Sequence, residues 1–372
     1  MKTNWQTKKL GEVLKLEYGK PLPKNERGTG GKYPVYGANG VKSWSDSFYY
    51  DKATIIVGRK GSAGEINLTE EKFWPLDVTY FVKFDDSKYN LKFLYNLLST
   101  LELTKLAKGV KPGINRNDVY SIEIQIPPLP EQKRLITLLD GLFEKLEKAK
   151  ENAEKNLANV KELFESYLQS AFANPCEDGE EKTLKEITSI LGDGLHGTPK
   201  YTVDGEYYFI NGNNLDNGKI VFKENTKKVS IEEYDKYKKN LNDRTMLVSI
   251  NGTLCNVAFY NNEKVILGKS ACYFNLLDGI DKNFIKYVIQ SPYFIRYAFK
   301  EATGATIKNV SLKSMREFKM HLPKLEEQKL ISAHLDSISA KTKKLTSIYQ
   351  QKLIALEELK KSILQKAFSG QL

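Results

Sequence analysis

The sequence predicts an α+β protein: two β-rich globular domains in tandem, each followed by a long α-helix. The two helices are expected to pair as an antiparallel coiled coil with internal pseudo-two-fold symmetry. Three observations carry this. A shift of 196 residues, with no gap, lays Leu129, Glu131, Gln132 and Lys133 on Leu325, Glu327, Gln328 and Lys329, and Leu168-Gln169-x-Ala171-Phe172 on Leu364-Gln365-x-Ala367-Phe368. Within both copies apolar residues recur at alternating spacings of three and four, the seam of paired helices. Ahead of each copy lie short apolar runs separated by Gly, Asn and Asp, the pattern of strands and turns.

In chain order, the first globule spans 1–127. Thr54 to Val57 and Val78 to Val82 read as strands, Lys92 to Ser99 as a short helix, and Ile122-x-Ile124-x-Ile126 as an alternating strand. Pro127, Pro128 and Pro130 then introduce a helical region over 128–174, closed by Asn174-Pro175. Its seam is Leu139, Leu142, Leu146, Ala149, Ala153, Val160, Leu163 and Tyr167, broken only by Asn156. The second globule, 175–323, repeats the first more weakly. Leu184-Lys-Glu-Ile187 matches Leu10-Gly-Glu-Val13 at an offset of 174, and Thr245 to Val248 with Gly252-Thr253 matches Thr54 to Val57 with Gly61-Ser62 at 191. The change of offset implies an insertion of about seventeen residues around Asn217 to Asn242. Met246 to Ile250 and Ala271 to Leu276 read as strands and Asn283 to Gln290 as a helix. After Pro323 the last region, 324–372, carries the second seam: Leu335, Ile338, Thr342, Leu345, Tyr349, Leu356, Leu359 and Ile363, with Lys352 opposite Asn156. Each helix would run about 60 Å at about 1.5 Å per residue.

Composition bounds the function. With 372 residues, 41% apolar and 11% aromatic, the chain can bury sizeable cores, which excludes wholesale disorder. No apolar run approaches the roughly 20 residues of a membrane helix, the N-terminus lacks a secretory pattern, and mean hydropathy is −0.46, so a cytoplasmic protein is expected. Cys176, Cys255 and Cys272 are too few and irregular for a disulfide or zinc framework. Fifty-seven Lys and Arg against 46 Asp and Glu give a net charge of +11, which points toward nucleic acid. The excess is uneven: 20 cations against 14 anions in residues 1–130, but 21 against 19 in residues 173–323.

Recognised catalytic patterns are missing. Gly192-Asp-Gly194-Leu-His-Gly197 matches the dinucleotide fingerprint formally, but Thr198-Pro199 follows where that motif needs a helix, so it reads as a turn with a functional tip. There is no phosphate-binding lysine loop, serine elbow or base-flipping methyltransferase tetrapeptide. Glu131-Gln-Lys133 and Glu327-Gln-Lys329 have nuclease-like spacing but lack its upstream acid and sit where glutamate favours a helix start. His196, His321 and His334 have no metal-ligand spacing. No catalytic, cofactor-binding or metal residue is assigned.

What remains is a set of polar, cationic turns in matching places. Lys20, Lys24, Asn39, Arg59, Lys60, Lys111 and Arg116 in the first globule, and His196, Thr198, Lys200, Asn211, Asn213, Asn251, Lys308 and Lys313 in the second, are the candidate DNA contacts. Arg and Lys hold phosphates or guanine edges, and Asn pairs with adenine.

The doubled Pro-x-Leu-x-Glu-Gln-Lys helix openings, the doubled Leu-Gln-x-Ala-Phe helix ends, the terminal Ala-Phe-Ser-Gly-Gln-Leu and the Gly-Asp-Gly-Leu-His-Gly-Thr-Pro turn together resemble the DNA specificity (S) subunit of type I restriction-modification systems. The resemblance covers essentially the whole chain. It implies two target recognition domains reading two half-sites of a bipartite double-stranded DNA target, held apart by the paired helices. It also implies a subunit without catalytic activity that docks two modification (methyltransferase) subunits and restriction (endonuclease and translocase) subunits. S-adenosylmethionine, ATP and Mg would then belong to those partners. Because the two globules differ outside a few framework residues, an asymmetric target is expected. The exposed helix flanks and the helix ends near Ala171-Phe172 and Ala367-Phe368 are the expected docking places. Three other readings compete: the specificity subunit of a related type II (IIB/IIG-like) methyltransferase-nuclease system, a self-contained nuclease or methyltransferase, and a coiled-coil scaffold whose globules bind protein.

Overall fold

The fold is that of a computed structural model, described for residues 4–28, 30–173 and 179–372. The chain divides into two compact units, one comprising 1–154 with 351–372 and the other 155–350. Each long helix therefore contributes one half to each unit. The first runs from Leu129 to Ala173 and the second from Leu325 to Phe368. The proposed stop at Asn174-Pro175, and Cys176, lie outside the described residues.

In the first unit a four-stranded antiparallel sheet runs in the order Leu14–Tyr18, Thr79–Phe84, Thr54–Gly58, Ile66–Thr69. Ile55 and Val57 point into the main core, whereas Ile56 packs with Tyr36, Phe73 and Phe81 on the other face, so both faces of this central strand are buried. That explains why its sequence is a continuous apolar run. A smaller sheet joins Gly40–Ser45 and Tyr33–Gly37 to Trp74–Pro75, and Gln6–Lys9 pairs antiparallel with Glu123–Ile126, placing the chain at the helix start.

The core continues across the helices of the same unit. Leu135, Ile136 and Leu139 of the first long helix, Ala367 and Phe368 of the second, and Phe93, Leu94 and Leu97 of the short helix Leu91–Thr100 form one buried cluster. Phe93 and Phe368 lie with ring centroids 5.1 Å apart. Lys360 Nζ meets Glu147 at 3.2 Å and Lys150 Nζ meets Glu357 at 2.9 Å. Three residues forward on one helix correspond to three backward on the other, the mark of antiparallel pairing.

The second unit repeats the plan. Its antiparallel sheet runs Thr188–Asp193, Ala271–Leu276, Thr245–Ser249, Val257–Phe259. Glu180–Thr183 pairs with Lys319–Leu322, as Gln6–Lys9 does with Glu123–Ile126. Phe172, near the end of the first long helix, packs at 5.5 Å on Phe284 of the helix Lys282–Gln290, and Leu168 is buried with Leu335 and Tyr287. The inserted region holds the hairpin Leu215–Asp216 and Lys219–Ile220, the strand Lys228–Val229 and the helix Ile231–Tyr237. An additional helix, Pro292–Glu301, stands where the first unit has only the short turn Leu103–Leu106.

The helices keep their pairing but the seam needs correction. Leu139, Ala153, Val160, Leu335 and Thr342 are buried, and Leu142, Leu146, Ile338, Tyr349, Leu356 and Ile363 are partly covered. Leu163, Tyr167, Leu345 and Leu359, expected in the seam, are exposed, and the covered line passes through Leu157, Phe164 and Leu168 on the first helix and Thr346, Leu353 and Lys360 on the second. A straight helix has about 3.6 residues per turn, not 3.5, so its buried face advances by about one residue every few heptads. The helix ends also differ from expectation. Ala367 and Phe368 are buried and Phe172 is packed on Phe284, so these ends belong to the cores and are not free docking surfaces.

Candidate nucleic-acid interface

In the first unit the candidate loops meet at the end of the four-stranded sheet. Arg59 follows the strand Thr54–Gly58, and its carbonyl accepts the Ile114 amide proton at 3.0 Å, while Gly61 N donates to Pro112 O at 2.8 Å. The loop of Lys60 is thereby joined to the loop that carries Lys111 and Arg116. Gly58 permits a third approach, since a Cβ there would lie 2.7 Å from Ala38 O, and Asn39 thus stands beside the Arg59 loop.

Tyr18, at the end of the strand Leu14–Tyr18, organises the cations. The guanidinium carbons of Arg59 and Arg116 lie 5.4 and 5.2 Å from its ring centroid, and its ring is 5.1 Å from that of Tyr80. Arg59 is further fixed by two donations from Nε and Nη2 to Asp77 O, at 2.9 and 2.6 Å. Stacking and hydrogen bonding restrict these long side chains before any ligand arrives. Burial pushes the Tyr80 phenol up to about 12, helped by its hydrogen bond with Tyr18, while Arg59 and Arg116 pull the other way. Lys20 Nζ sits 4.9 Å from the Tyr49 ring centroid, and Trp74 Nε1 donates to Lys20 O at 2.9 Å. Lys24 lies in the exposed turn Lys24–Glu26, and no described contact ties it to this cluster.

The second unit uses the same frame with other side chains. Gly252 N donates to Lys308 O at 3.0 Å and Val310 N to Ile250 O at 2.8 Å, the counterparts of the Gly61 and Ile114 bonds. Asn251 Nδ2 donates to Asn309 Oδ1 at 3.2 Å. Ser270 connects further: its carbonyl accepts from Ile250 N at 3.0 Å, and its hydroxyl donates to Asn211 Oδ1 at 2.9 Å. The amide of Asn211 is therefore engaged within the fold, whereas Asn213 in the following turn is exposed. His196 Nε2 lies 2.7 Å from Asp193 Oδ2, and its neighbour Leu195 donates to Leu267 O, which brings His196 near the Asn211 turn. Thr198 is exposed, Lys200 N donates to Glu233 Oε2 on the inserted helix, and Lys313 is exposed on Leu312–Glu317.

The Gly-Asp-Gly-Leu-His-Gly turn is explained by space. A Cβ at Gly194 would fall 2.1 Å from Leu267 O, and no helix follows before the strand Tyr201–Thr202. Among the described residues no group of three or more His, Cys, Asp or Glu is arranged to hold a metal ion, and no helix is long and apolar enough to cross a membrane. Burial pushes the Cys255 thiol up to about 12. Sequence reasoning missed Tyr18, Tyr49, Trp74 and Tyr80. The available signal was Tyr18 itself, an aromatic on the same strand phase as the buried Leu14 and Leu16 but at the strand's exposed end, next to Gly19-Lys20.

A doubled α+β unit with matched polar loops and shared helices defines a class of two-part proteins that present variable loops on a repeated frame. A family model described as "Type I restriction modification DNA specificity domain" matches residues 2–155 and again 177–357, and the chain belongs to that family. It is similar to the type I restriction enzyme MjaVIII specificity subunit of Methanocaldococcus jannaschii, at 26% identity over 99% of this chain and 93% of that protein. A putative type I specificity subunit of Mycoplasma pneumoniae is 21% identical over 90% of this chain and 89% of that one. Among solved structures, a chain reported under "Structural basis underlying complex assembly and conformational transition of the type I R-M system" superposes with a TM-score of 0.75 at 18% identity, covering 100% of this chain and 99% of that chain. The HsdS subunit from Thermoanaerobacter tengcongensis superposes at 0.63, also at 18% identity, covering 100% and 98%. At such identities the likeness is one of fold.

Proposed function

We propose that the chain is a DNA-reading subunit without catalytic chemistry of its own: residues 1–127 and 175–323 each read one half-site of an asymmetric bipartite duplex target. The observation that carries this reading is the repeated frame. The bonds from Ile114 N to Arg59 O and from Val310 N to Ile250 O hold equivalent loops in both units, yet the loops present Arg59, Lys60 and Arg116 in one and Asn251, Lys308 and Lys313 in the other. A constant frame with different donors and acceptors suits two different base sequences.

On this reading the modification subunits dock on the helices, supported by exposed Leu330, Leu345, Ile348, Ile354 and Leu359. Adenine methylation with S-adenosylmethionine, and ATP- and Mg-dependent restriction, then belong to those partners. The test is to map methylated adenines in cells expressing this chain with its modification subunit, and again after exchange of residues 175–323 for those of a relative. One half of the methylated motif should change while the other stays. A change in both halves, or in neither, would sink the proposal.

A further inference from the structure

Besides the inserted region and the additional helix, the second unit departs from the repeat in how it fills the space beside the long helices. A cavity of about 780 Å³ opens there between the two long helices and the helices Lys282–Gln290 and Pro292–Glu301. Two small residues on the second long helix, Ser339 and Ala340, line it. Their counterparts at the shift of 196 are Phe143 and Glu144, and in the first unit Lys360 Nζ lies 5.4 Å from the Phe143 ring centroid. The loop facing the cavity differs in the same sense. Gly64, with φ +85°, leaves no room for a side chain, because a Cβ would fall 2.4 Å from Thr104 N. Its counterpart Cys255 keeps a left-handed φ of +68° yet carries a side chain, buried in the core beside the cavity that it helps to line. One unit fills this position with its own atoms and the other leaves it empty.

The lining has a definite chemistry. Leu168 and Tyr287 are buried and, with Phe164 and Ile295, supply an apolar wall. Phe164 and Tyr287 lie edge to face, 6.5 Å between centroids. Two acids line it: Asp336 Oδ1 accepts from Tyr287 Oη at 2.5 Å and lies 3.4 Å from Lys286 Nζ, and Glu165 stands exposed at the rim. By contrast Arg296 and Lys343, on the exposed rim, have no ion-pair partner among the described residues. Asn256 and Gln290 add amide groups that both donate and accept.

We propose that this cavity binds a small organic anion of mononucleotide size, with its flat body against Phe164, Leu168 and Ile295 and its negative group held by Arg296 and Lys343. The volume is within the roughly 300–1,000 Å³ of small-molecule sites, and the mixture of apolar wall with few convergent polar groups is theirs. A guanidinium with a neighbouring ammonium is suited to a phosphate or carboxylate, and the amides suit the polar edge of a heterocycle. Leu254, Cys255 and Asn256 of the lining belong to the loop that carries Asn251, whereas Arg296, Ser339, Ala340 and Lys343 stand on helices, and the proposal rests on those helix residues and not on the functional reading above.

Calorimetric titration of the full chain with adenosine 5′-monophosphate, and with adenosine as its uncharged counterpart, tests this. One molecule of the nucleotide should bind per chain, adenosine should bind about tenfold or more weakly, and Arg296→Ala with Lys343→Ala should remove that difference, each tenfold step being about 1.4 kcal/mol. Ser339→Phe with Ala340→Glu, which copies the first unit, should abolish binding while leaving DNA binding unchanged. Should that variant fail to fold, the Arg296 and Lys343 pair, both exposed, still decides. No saturable binding to the unaltered chain, or equal binding after filling, overturns the proposal. So does a filled variant that instead loses its methyltransferase partner when the unaltered chain binds no nucleotide, which would make the cavity a socket for a protein side chain.

Discussion

Gln132 Oε1 accepts the backbone proton of Asn90 at 2.8 Å, and its Nε2 donates to Pro127 O and Lys88 O at 2.9 and 3.1 Å. Asn90 is the N-cap of the short helix Leu91–Thr100, with its side chain accepting from Phe93 N. One buried amide thus ties the start of a long helix to the start of the globule's helix. Gln328 does the same for Asp281, at 2.9 Å, with Pro323 O at 2.8 Å. The Glu-Gln-Lys pattern is a helix start whose middle residue is a latch, which accounts for its repetition without any nuclease chemistry.

Gln132→Ala should therefore destabilise the first unit by about 1–3 kcal/mol, the cost of leaving buried groups unpaired, and Gln328→Ala the second by a similar amount. Denaturant unfolding of each variant checks this. An unchanged midpoint in both would mean that the latch contributes nothing.

The pair Phe93 and Phe368 has its counterpart in Phe284 and Phe172. Phe368→Ala should cost about 3–5 kcal/mol, as for other large buried aromatics. Leu345→Ser and Ile348→Ser, on exposed helix surface, should stay within about 0.5 kcal/mol yet weaken co-purification with the modification subunit. Thermal unfolding and pull-down, run on the same three variants, separate core residues from docking residues.

Tyr80 gives a pH dependence. Its phenol is held up to about 12, first by burial and then by the bond with Tyr18, against an ordinary value of 10.0. The folded form thus keeps its proton where the unfolded form has lost it. The associated stability is fully present below pH 10 and is lost as pH rises through the folded value near 12. Tyr80→Phe, which cannot ionise, should shift alkaline unfolding of the first unit upward in pH. A curve that coincides with that of the unaltered chain between pH 10 and 12 contradicts the assignment.

The two long helices were legible because a gapless repeat and a three-and-four pattern are local properties of the chain. Their seam was misplaced at Leu163, Tyr167, Leu345 and Leu359 because the drift of a 3.6-residue helix against a heptad accumulates slowly. Gln132 was read as part of a helix start but not as a latch, since its partners Lys88 and Asn90 are more than forty residues away. The helix Pro292–Glu301 was missed because its sequence mixes aromatics and charges over only ten residues. At the interface, cations were found by composition, whereas Tyr18, their organiser, depends on strand phase and on two loops meeting. Asn211 shows the opposite error: an amide suited to adenine is bound instead to Ser270.

The stack of Arg116 on Tyr18 separates two kinds of contact. A guanidinium held over a ring is preset to reach a guanine edge, so Arg116→Ala should cost about 1–3 kcal/mol of specific affinity and relax preference at one position of the first half-site. Tyr18→Leu, which keeps the arginine but removes its support, should lose part of the same preference. Lys60→Ala and Lys111→Ala are expected to behave otherwise. Both side chains are exposed in the joined loops, where a phosphate contact would lower affinity for all sequences alike and reduce the slope of log K against log salt by about one each. Fluorescence anisotropy with the cognate duplex and with single-base variants, repeated over a salt series, measures both quantities. If Arg116→Ala weakens every duplex equally while Lys60→Ala changes base preference, the assignment of readers and phosphate contacts is reversed.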